Sequence, residues 1–483
     1  MALESLQKSL HTLKARIRAR RGITGGARPA TPARKREAGP IARLVDAWWN
    51  RLLTSVYEGS LSAQEAEYES GETARDYLWN TVGVGIWGMV FPILTIVATQ
   101  LAGTEQAGMF SMAFVTGTLL MIVANYGVRT FQVSDINQTS SFASYQVNRW
   151  VTSAAALALG ALYCSVRGYD AGMTTLSLGV YVYKVVDGLA DVYEGRLQQA
   201  DKLYLAGISQ ALRSVAAIAA FSILLLITRS CAVAAIGMAI ASVATLVLVS
   251  APLALLETEP SGPWKTSQVN TLFRHCFPLF SALFLFNLIE SMPKFAMESM
   301  LSYDNQLYFN ALFFPAQGIL IAAGFIYKPQ LLRLANIWAN PRRRRRFDLI
   351  VLAMLAVICV LTLVTGAFMG WIGIPLMGIM YGVDFEPMRT LAYLMVAAGG
   401  VSAAIDFLYA IVTVLRHQSS AWKPYLITFA CSLVIPTGLV ALMGLTGAVI
   451  GYLIVMTILL VLLGMGYYRI RTDLSERNRS PFK

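Results

Sequence analysis

The chain has 483 residues, of which 56% are apolar and 14% are charged. Soluble proteins carry about a quarter charged residues, so this composition excludes a soluble enzyme and predicts a protein embedded in a membrane. The formal charge of +12 at pH 7 comes from bases in predicted loops and tails, which argues against a nucleic-acid partner. The five cysteines and three histidines stand singly along the chain, so the sequence predicts no disulfide framework, metal site or cofactor.

The N-terminal 77 residues are predicted to lie in the cytoplasm and to form three parts. Residues 1–40 form a basic, partly disordered tail, because they are rich in Arg, Ala, Pro and Gly. Residues 41–58 place apolar side chains at helical spacing, which predicts an amphipathic helix in the membrane interface; a helix that docks on a protein partner is the alternative. Residues 59–77 form an acidic linker. We expect residues 1–58 to bind anionic membrane lipids.

Twelve apolar segments follow, each close to the length of about 20 residues that a membrane-spanning helix needs. The first six predict an N-terminal lobe at 78–252 and the last six a C-terminal lobe at 274–468, with a cytoplasmic connection at 253–273 and a basic tail at 469–483. The segments are 78–100, 107–127, 149–166, 173–194, 206–227, 231–252, 274–293, 307–327, 347–370, 388–415, 421–443 and 446–468.

The positions of the basic residues predict the orientation. If the segments alternate in direction, most of the 39 Lys and Arg residues fall on one side, and only Arg167, Arg229, Lys294 and Arg389 fall on the other. The positive-inside rule then places both termini and the five arginines at 342–346 in the cytoplasm. We therefore expect an all-α, polytopic protein of the cytoplasmic membrane, with two parallel six-helix lobes around a central cavity.

The predicted external loops are short, and the longest runs over residues 371–386. Membrane glycosyltransferases and polymerases that use a lipid-linked sugar need a larger external loop to hold an acceptor. The cytoplasmic loops contain no Walker A or other nucleotide-binding motif. The sequence therefore predicts a transporter rather than an enzyme.

Three features of the chain resemble one family of membrane proteins. They are the arrangement of six plus six helices, a short polar junction at residues 103–108, and the segment 187–202 that leads to Arg213. In outline, residues 73 to about 470 are similar to the Wzx-like polysaccharide transporters of the multidrug/oligosaccharidyl-lipid/polysaccharide exporter (MOP) superfamily. A weak internal repeat, in which Phe110 and Phe114 align with Phe309 and Phe313, also favours two related halves.

The resemblance implies a flippase that works by alternating access. Its substrate would be an undecaprenyl-diphosphate-linked oligosaccharide, moved from the cytoplasmic to the outer leaflet for cell-surface polysaccharide assembly, with polysaccharide-assembly proteins as further partners. Two alternatives stay open: a cation-coupled multidrug antiporter of the same superfamily, and a non-transporting scaffold that recruits glycosyltransferases. A major-facilitator carrier is disfavoured because the loop after the second segment lacks that family's motif.

Charged residues within the fourth and fifth segments are the first candidates for a binding site, because charge inside a membrane is costly. Lys184, Asp187, Asp191 and Glu194 share one face of the fourth segment. Arg213 lies near mid-depth in the fifth. One interpretation pairs Lys184 with Asp187 and Arg213 with Asp191, so that the charges only hold helices together. The functional interpretation presents Lys184 and Arg213 to a diphosphate and lets the acids line a wet path for sugars.

Candidate residues also occur in the C-terminal lobe. Glu290 and Lys294 lie on one polar stripe of the seventh segment, either as an ion pair or with Lys294 as a third cation for the diphosphate. Asp406 in the tenth segment shares a face with Tyr409 and is the candidate for proton or sodium coupling, with a helix-packing hydrogen bond as the alternative.

The predicted orientation can be tested by labelling substituted cysteines. Thr104→Cys and Gly382→Cys should react with a membrane-impermeant thiol reagent added outside intact cells, because both positions lie opposite the basic loops. Arg344→Cys should react only after the membrane is opened. Labelling of Arg344→Cys in intact cells would reverse the assignment of both termini.

Overall fold

The structure, a computed structural model, describes residues 71–135, 139–339, 344–415 and 422–479. The regular secondary structure within these ranges is helical, without a strand. The predicted tail at 1–40 and the predicted interfacial helix at 41–58 lie outside the described residues, so the predictions made for them stay predictions.

The helices of the N-terminal half follow one another closely. They are α1 (Gly71–Ala102), α2 (Thr104–Asn125), α3 (Val128–Ser134), α4 (Phe142–Arg167), α5 (Ala171–Gln199), α6 (Leu203–Thr228), α7 (Cys231–Thr245) and α8 (Ala251–Glu257). A π-helical turn, Leu246–Ser250, joins α7 to α8 without a break.

The C-terminal half has the same character. Its helices are α9 (Thr266–Met300), α10 (Asp304–Tyr327), α11 (Leu331–Ala339), α12 (Arg344–Phe368), α13 (Ile374–Tyr381), α14 (Arg389–Val414) and α15 (Trp422–Arg479). Single turns, Lys328–Gln330, Met369–Gly373 and Glu386–Met388, connect α10 to α11, α12 to α13 and the α13 loop to α14.

Ten helices in the described ranges are long and apolar enough to cross a membrane. Helix α5 has the length but is too polar to count among them. Helix α15 counts once but is interrupted at Gly444, where the backbone leaves helical geometry at φ 59° and ψ −133°. The all-α, multi-pass prediction is therefore confirmed with ten to twelve spanning helices; the side on which the termini lie stays a prediction.

The helices extend beyond several predicted boundaries. Helix α1 begins at Gly71, inside the predicted linker at 59–77, and α15 continues to Arg479, past the predicted end at 468. The predicted external loop at 371–386 is largely helical, because α13 occupies its first half. The predictions followed apolar content, whereas a helix continues into the polar interface until its backbone finds a stop signal.

The helices pack into two bundles, one from the N-terminal half and one from the C-terminal half. Close backbone contacts hold the N-terminal bundle together. Helix α1 packs along α6, where a Cβ atom on Gly83 would stand 2.4 Å from the Gly207 carbonyl oxygen. A Cβ atom on Gly207 would in turn stand 2.3 Å from the Trp79 carbonyl oxygen. In the second bundle α9 packs on α15 and α10 packs on α14. We call the N-terminal bundle the first lobe and the second bundle the second lobe; the predicted boundaries at 78–252 and 274–468 stay predictions.

The lobes meet along α2 and α10. A Cβ atom on Gly108 would stand 1.9 Å from the Tyr303 carbonyl oxygen, so both helices begin at the same end of the molecule. At that end Gln100 of α1 also donates a hydrogen bond of 2.9 Å to the Met380 carbonyl oxygen of α13. We call this the α1–α2 end; the orientation predicted above makes it the external end.

Helix α9 contacts the N-terminal lobe at both of its ends. Away from the α1–α2 end, the Phe280 ring stacks on Tyr126 with 4.5 Å between centroids. Towards the α1–α2 end, Glu298 contacts α4 and the residues that follow it. Two prolines, Pro278 and Pro293, lie inside this 35-residue helix, and each removes a backbone donor from it.

Substitution of the two facing glycines should loosen the first lobe. We expect Gly83→Ala and Gly207→Ala each to destabilise the protein by about 1–3 kcal/mol, because the added methyl group meets backbone that cannot move aside. Thermal unfolding in detergent measures the loss. Gly85→Ala on the same helix is the matched control, since nothing lies within 4 Å of its added Cβ atom; an equal loss in that variant would contradict the packing argument.

Candidate functional site

Arg213 lies inside the first lobe and binds two carboxylates of α5. Its Nε atom donates to Asp187 at 2.7 Å and its Nη1 atom donates to Glu194 at 2.7 Å. The side chains of all three residues are almost fully buried, and Trp87 of α1 donates a further hydrogen bond of 2.9 Å to Asp187. Arg213 is therefore already held by two anions.

Asp191, one turn away on α5, binds two further arginines. Arg149 of α4, which is fully buried, lies 2.5 Å from it, and Arg129 of α3 lies 2.6 Å from it. Arg129 also approaches Glu194 at 3.7 Å. Burial lowers the pKa of Arg129, but the two carboxylates outweigh burial and raise that pKa above its ordinary value.

These contacts form what we call the arginine cluster, made of three carboxylates from α5 and three guanidinium groups from other helices. Its members are Asp187, Asp191, Glu194, Arg129, Arg149 and Arg213. Charges balance within the cluster, and each carboxylate is bonded to at least one arginine. Such pairing is what permits ionised groups to persist away from water.

The pairing of Arg213 with Asp191 that the sequence suggested is wrong. Arg213 binds Asp187 and Glu194 instead of Asp191. Asp191 instead binds Arg129 and Arg149. Arg129 follows the predicted segment 107–127 and Arg149 is the first residue of the predicted segment 149–166, so apolar content gave no sign that either would reach a carboxylate of α5. The binding roles predicted for Asp187, Asp191 and Arg213 stay predictions.

Lys184 has surroundings of a different kind. It is 3% exposed, and its ammonium group lies 4.0 Å from the centroid of the Phe114 ring and 5.1 Å from that of Trp87. Its stem runs past Gly117 of α2, where a Cβ atom would stand 3.1 Å from the lysine Cγ atom. Among the described residues no carboxylate forms an ion pair with it within 4.0 Å, so the predicted pair with Asp187 is wrong.

Lys294 repeats this arrangement in the second lobe. It is 6% exposed, and its ammonium group lies 4.6 Å from the Phe313 centroid and 5.8 Å from the Phe309 centroid. The predicted ion pair with Glu290 is wrong in this structure, because Glu290 accepts a hydrogen bond of 3.1 Å from Tyr452 instead. In the part of the chain that the structure describes, aromatic rings again replace a carboxylate within ion-pair distance.

The two lysines lie at similar depth. Helices α2 and α10 both begin at the α1–α2 end, and Phe114 and Phe313 come ten and nine residues after their first residues. At 1.5 Å of rise per residue, both rings lie roughly 14–15 Å from that end. Each lobe therefore places one ammonium group against a ring of the helix that faces the other lobe.

Two carboxylates of the second lobe are partly open to solvent. Glu290 is half-buried and bonded to Tyr452, whose hydroxyl group also lies 3.1 Å from the Ser402 hydroxyl group. The Asp406 side chain is 37% exposed, accepts a hydrogen bond from Tyr327 and lies 3.8 Å from the Lys328 ammonium group. The coupling role predicted for Asp406 stays a prediction.

Solved structures of one transporter superfamily are similar to this chain. An inward-facing multidrug resistance MATE family transporter of the MOP superfamily aligns with a TM-score of 0.57 at 12% identity, covering 83% of this chain and all of that chain. An outward-facing one aligns with a TM-score of 0.53 at 13% identity, covering 86% of this chain and 99% of that chain.

A third structure, a MOP superfamily transporter from Pyrococcus furiosus Vc1, aligns with a TM-score of 0.55 at 14% identity, covering 86% of this chain and 99% of that chain. It is described as having a binding pocket of reversed polarity that suggests a different function. No family sequence model matches the chain, and no curated protein matches it by sequence. These similarities show that the chain has the fold of the MOP superfamily transporters.

Removal of Arg213 should destabilise the first lobe strongly. Arg213→Met leaves Asp187 and Glu194 short of a buried partner, and we expect a loss of about 3–5 kcal/mol in the free energy of unfolding. Thermal unfolding in detergent measures it. The double variant Arg213→Met with Asp187→Asn leaves the cluster with two carboxylates and two arginines, with Glu194 3.7 Å from Arg129, and should recover most of the loss. A double variant as unstable as the single one would contradict charge compensation as the cause.

Proposed function

We propose that the protein is a flippase for lipid-linked oligosaccharide, and that it moves an undecaprenyl-diphosphate-linked glycan between leaflets by alternating access. The fold of the MOP superfamily transporters supports a transporter. The observation that favours an anionic substrate is the pair of buried lysines, Lys184 and Lys294, which contact aromatic rings where an ion pair would be expected.

The contrast with the arginine cluster gives this observation its weight. Arg213 sits between two carboxylates, so little of its charge is left for a ligand. A ring face attracts an ammonium ion by about 0.5–2 kcal/mol, far less than the cost of removing that ion from water. Asp187 and Glu290 attract the two ammonium groups from beyond ion-pair distance, and a bound anion would supply the close contact that neither Lys184 nor Lys294 has among the described residues. A diphosphate carries charge enough to serve both, and the glycan and polyprenyl chain would occupy the space between and beside the lobes.

An antiporter for organic cations is the second candidate. It is favoured by the two MATE multidrug transporters that share the fold, and by the partly open carboxylates Glu290 and Asp406. Aromatic rings beside acids would suit an apolar cation. The two candidates differ in which charged residues the substrate needs.

The test measures flipping of a lipid-linked diphosphate glycan in vesicles that contain the purified protein. We expect Lys184→Ala and Lys294→Ala each to lower the flipping rate by about tenfold or more, because each removes one charged hydrogen bond to the diphosphate. Lysine to arginine changes at the same positions should retain more activity than the alanine variants, since the positive charge is kept.

Lys202→Ala is the matched control. Lys202 pairs with Glu257 at 2.7 Å, and its side chain is 33% exposed, so its removal should leave flipping within about twofold of the wild type. The same vesicles are loaded with a fluorescent organic cation. The antiporter would replace the flippase proposal on two results together. The wild type would export the cation but flip no glycan, and Glu290→Gln and Asp406→Asn would each abolish the cation export.

A further inference from the structure

One carboxylate of the second lobe is bound entirely by the first lobe. Glu298 of α9 has a side chain that is 1% exposed. It accepts a hydrogen bond of 2.7 Å from the Tyr163 hydroxyl group and another from the Tyr169 hydroxyl group. The Arg167 guanidinium group lies 3.0 Å from the same carboxylate. All three partners come from the end of α4 and the residues just after it.

This contact differs from the arginine cluster in what it joins. The cluster connects helices of one lobe, so it is compatible with any rotation of one lobe against the other. Glu298 connects α9 to α4 across the boundary between the lobes, at the α1–α2 end. Rotation that opens this end must separate the carboxylate from its three donors at once.

The contact of Glu298 with its three donors is strong only while the α1–α2 end is closed to water. Glu298 is shielded from water, and charged hydrogen bonds gain strength where water is excluded. The Arg167 side chain is 30% exposed, so it can be hydrated when the contact breaks. Water can also hydrate the freed carboxylate. An interface that alternates between two stable packings requires a contact of this kind, which is strong in one arrangement and hydrated in the other.

Other interlobe contacts at this end are weaker in kind. Gln100 donates an uncharged hydrogen bond of 2.9 Å to the Met380 carbonyl oxygen. Gly108 lets α2 approach the Tyr303 backbone but adds no charge. Among these contacts, the charged one is made by Glu298. The contacts of Gln100 and Gly108 contribute close packing without charge.

We propose that Glu298, Tyr163, Tyr169 and Arg167 form a latch that holds the lobes together at the α1–α2 end and is released in each transport cycle. The inference rests on the alternating access of the proposed function and adds its regulation. Lys294 lies one turn from Glu298 on the same helix, so a ligand on that lysine and the latch act on one rigid piece of α9.

The test measures the distance between spin labels on the two lobes in lipid nanodiscs. Labels are placed at Glu105→Cys of α2 and Thr390→Cys of α14, both exposed and both near the α1–α2 end. The background replaces the exposed Cys359 and the half-buried Cys431 by serine. In Glu298→Gln the ratio of long to short distances should rise by about tenfold, since a charged hydrogen bond shifts an equilibrium by at least that factor.

A double variant and a matched control make the result specific. Tyr163→Phe with Tyr169→Phe keeps both rings and removes both hydroxyl donors, so it should open the same end without a charge change. Glu386→Gln removes an exposed carboxylate at the same end whose 2.7 Å ion pair with Arg389 stays within the second lobe, and its distances should match the wild type.

The outcomes separate the latch from the proposed substrate. Wild-type distances in both Glu298→Gln and the double tyrosine variant would overturn the latch, and so would equal opening in Glu386→Gln. Lys184→Ala should keep wild-type distances in the absence of substrate. A failure of the flippase proposal would therefore appear in the vesicle assay alone and leave the distance result unchanged.

Discussion

The cost of holding charge away from water governs the arrangement of the first lobe. Helix α5 carries three carboxylates on one face, and each would be unstable in a dry interior without a counter-ion. The three arginines that compensate them come from α3, α4 and α6, so one electrostatic requirement fixes four helices relative to one another. The close packing of α1 on α6 at Gly83 and Gly207 completes a lobe that can move as a unit.

The two lysines and Glu298 differ from the arginine cluster. Lys184 and Lys294 are buried against rings with no described carboxylate within 4.0 Å, and Glu298 is bound by groups of the opposite lobe. Charge that is satisfied within a lobe stabilises the fold. Charge that is satisfied by the other lobe, as at Glu298, links stability to the relative position of the two lobes.

The sequence predicted the class of fold and the shared face of the charged residues on α5, but it could not predict which residues contact them. Periodicity placed Lys184, Asp187, Asp191 and Glu194 on one face of a helix, which α5 confirms. Their partners could not be read from spacing, because Arg129 and Arg149 reach α5 from distant parts of the chain. The weak repeat that aligned Phe114 with Phe313 did locate the two rings that carry lysines. The lysines themselves come from α5 and α9, which the repeat does not relate.

Pro293 interrupts the backbone hydrogen bonding of α9 about two turns before the helix ends at Met300. Proline has no N–H group to donate to the carbonyl of Ile289. Bending at this position therefore breaks no backbone hydrogen bond. On one side of Pro293 lie Lys294 and Glu298; on the other lie Glu290 and the Phe280 ring stacked on Tyr126. The part of α9 before Pro293 can thus stay in contact with Tyr126 of the first lobe while the part that carries Glu298 changes its angle. A small change of angle at Pro293 therefore produces a larger displacement at the end of α9.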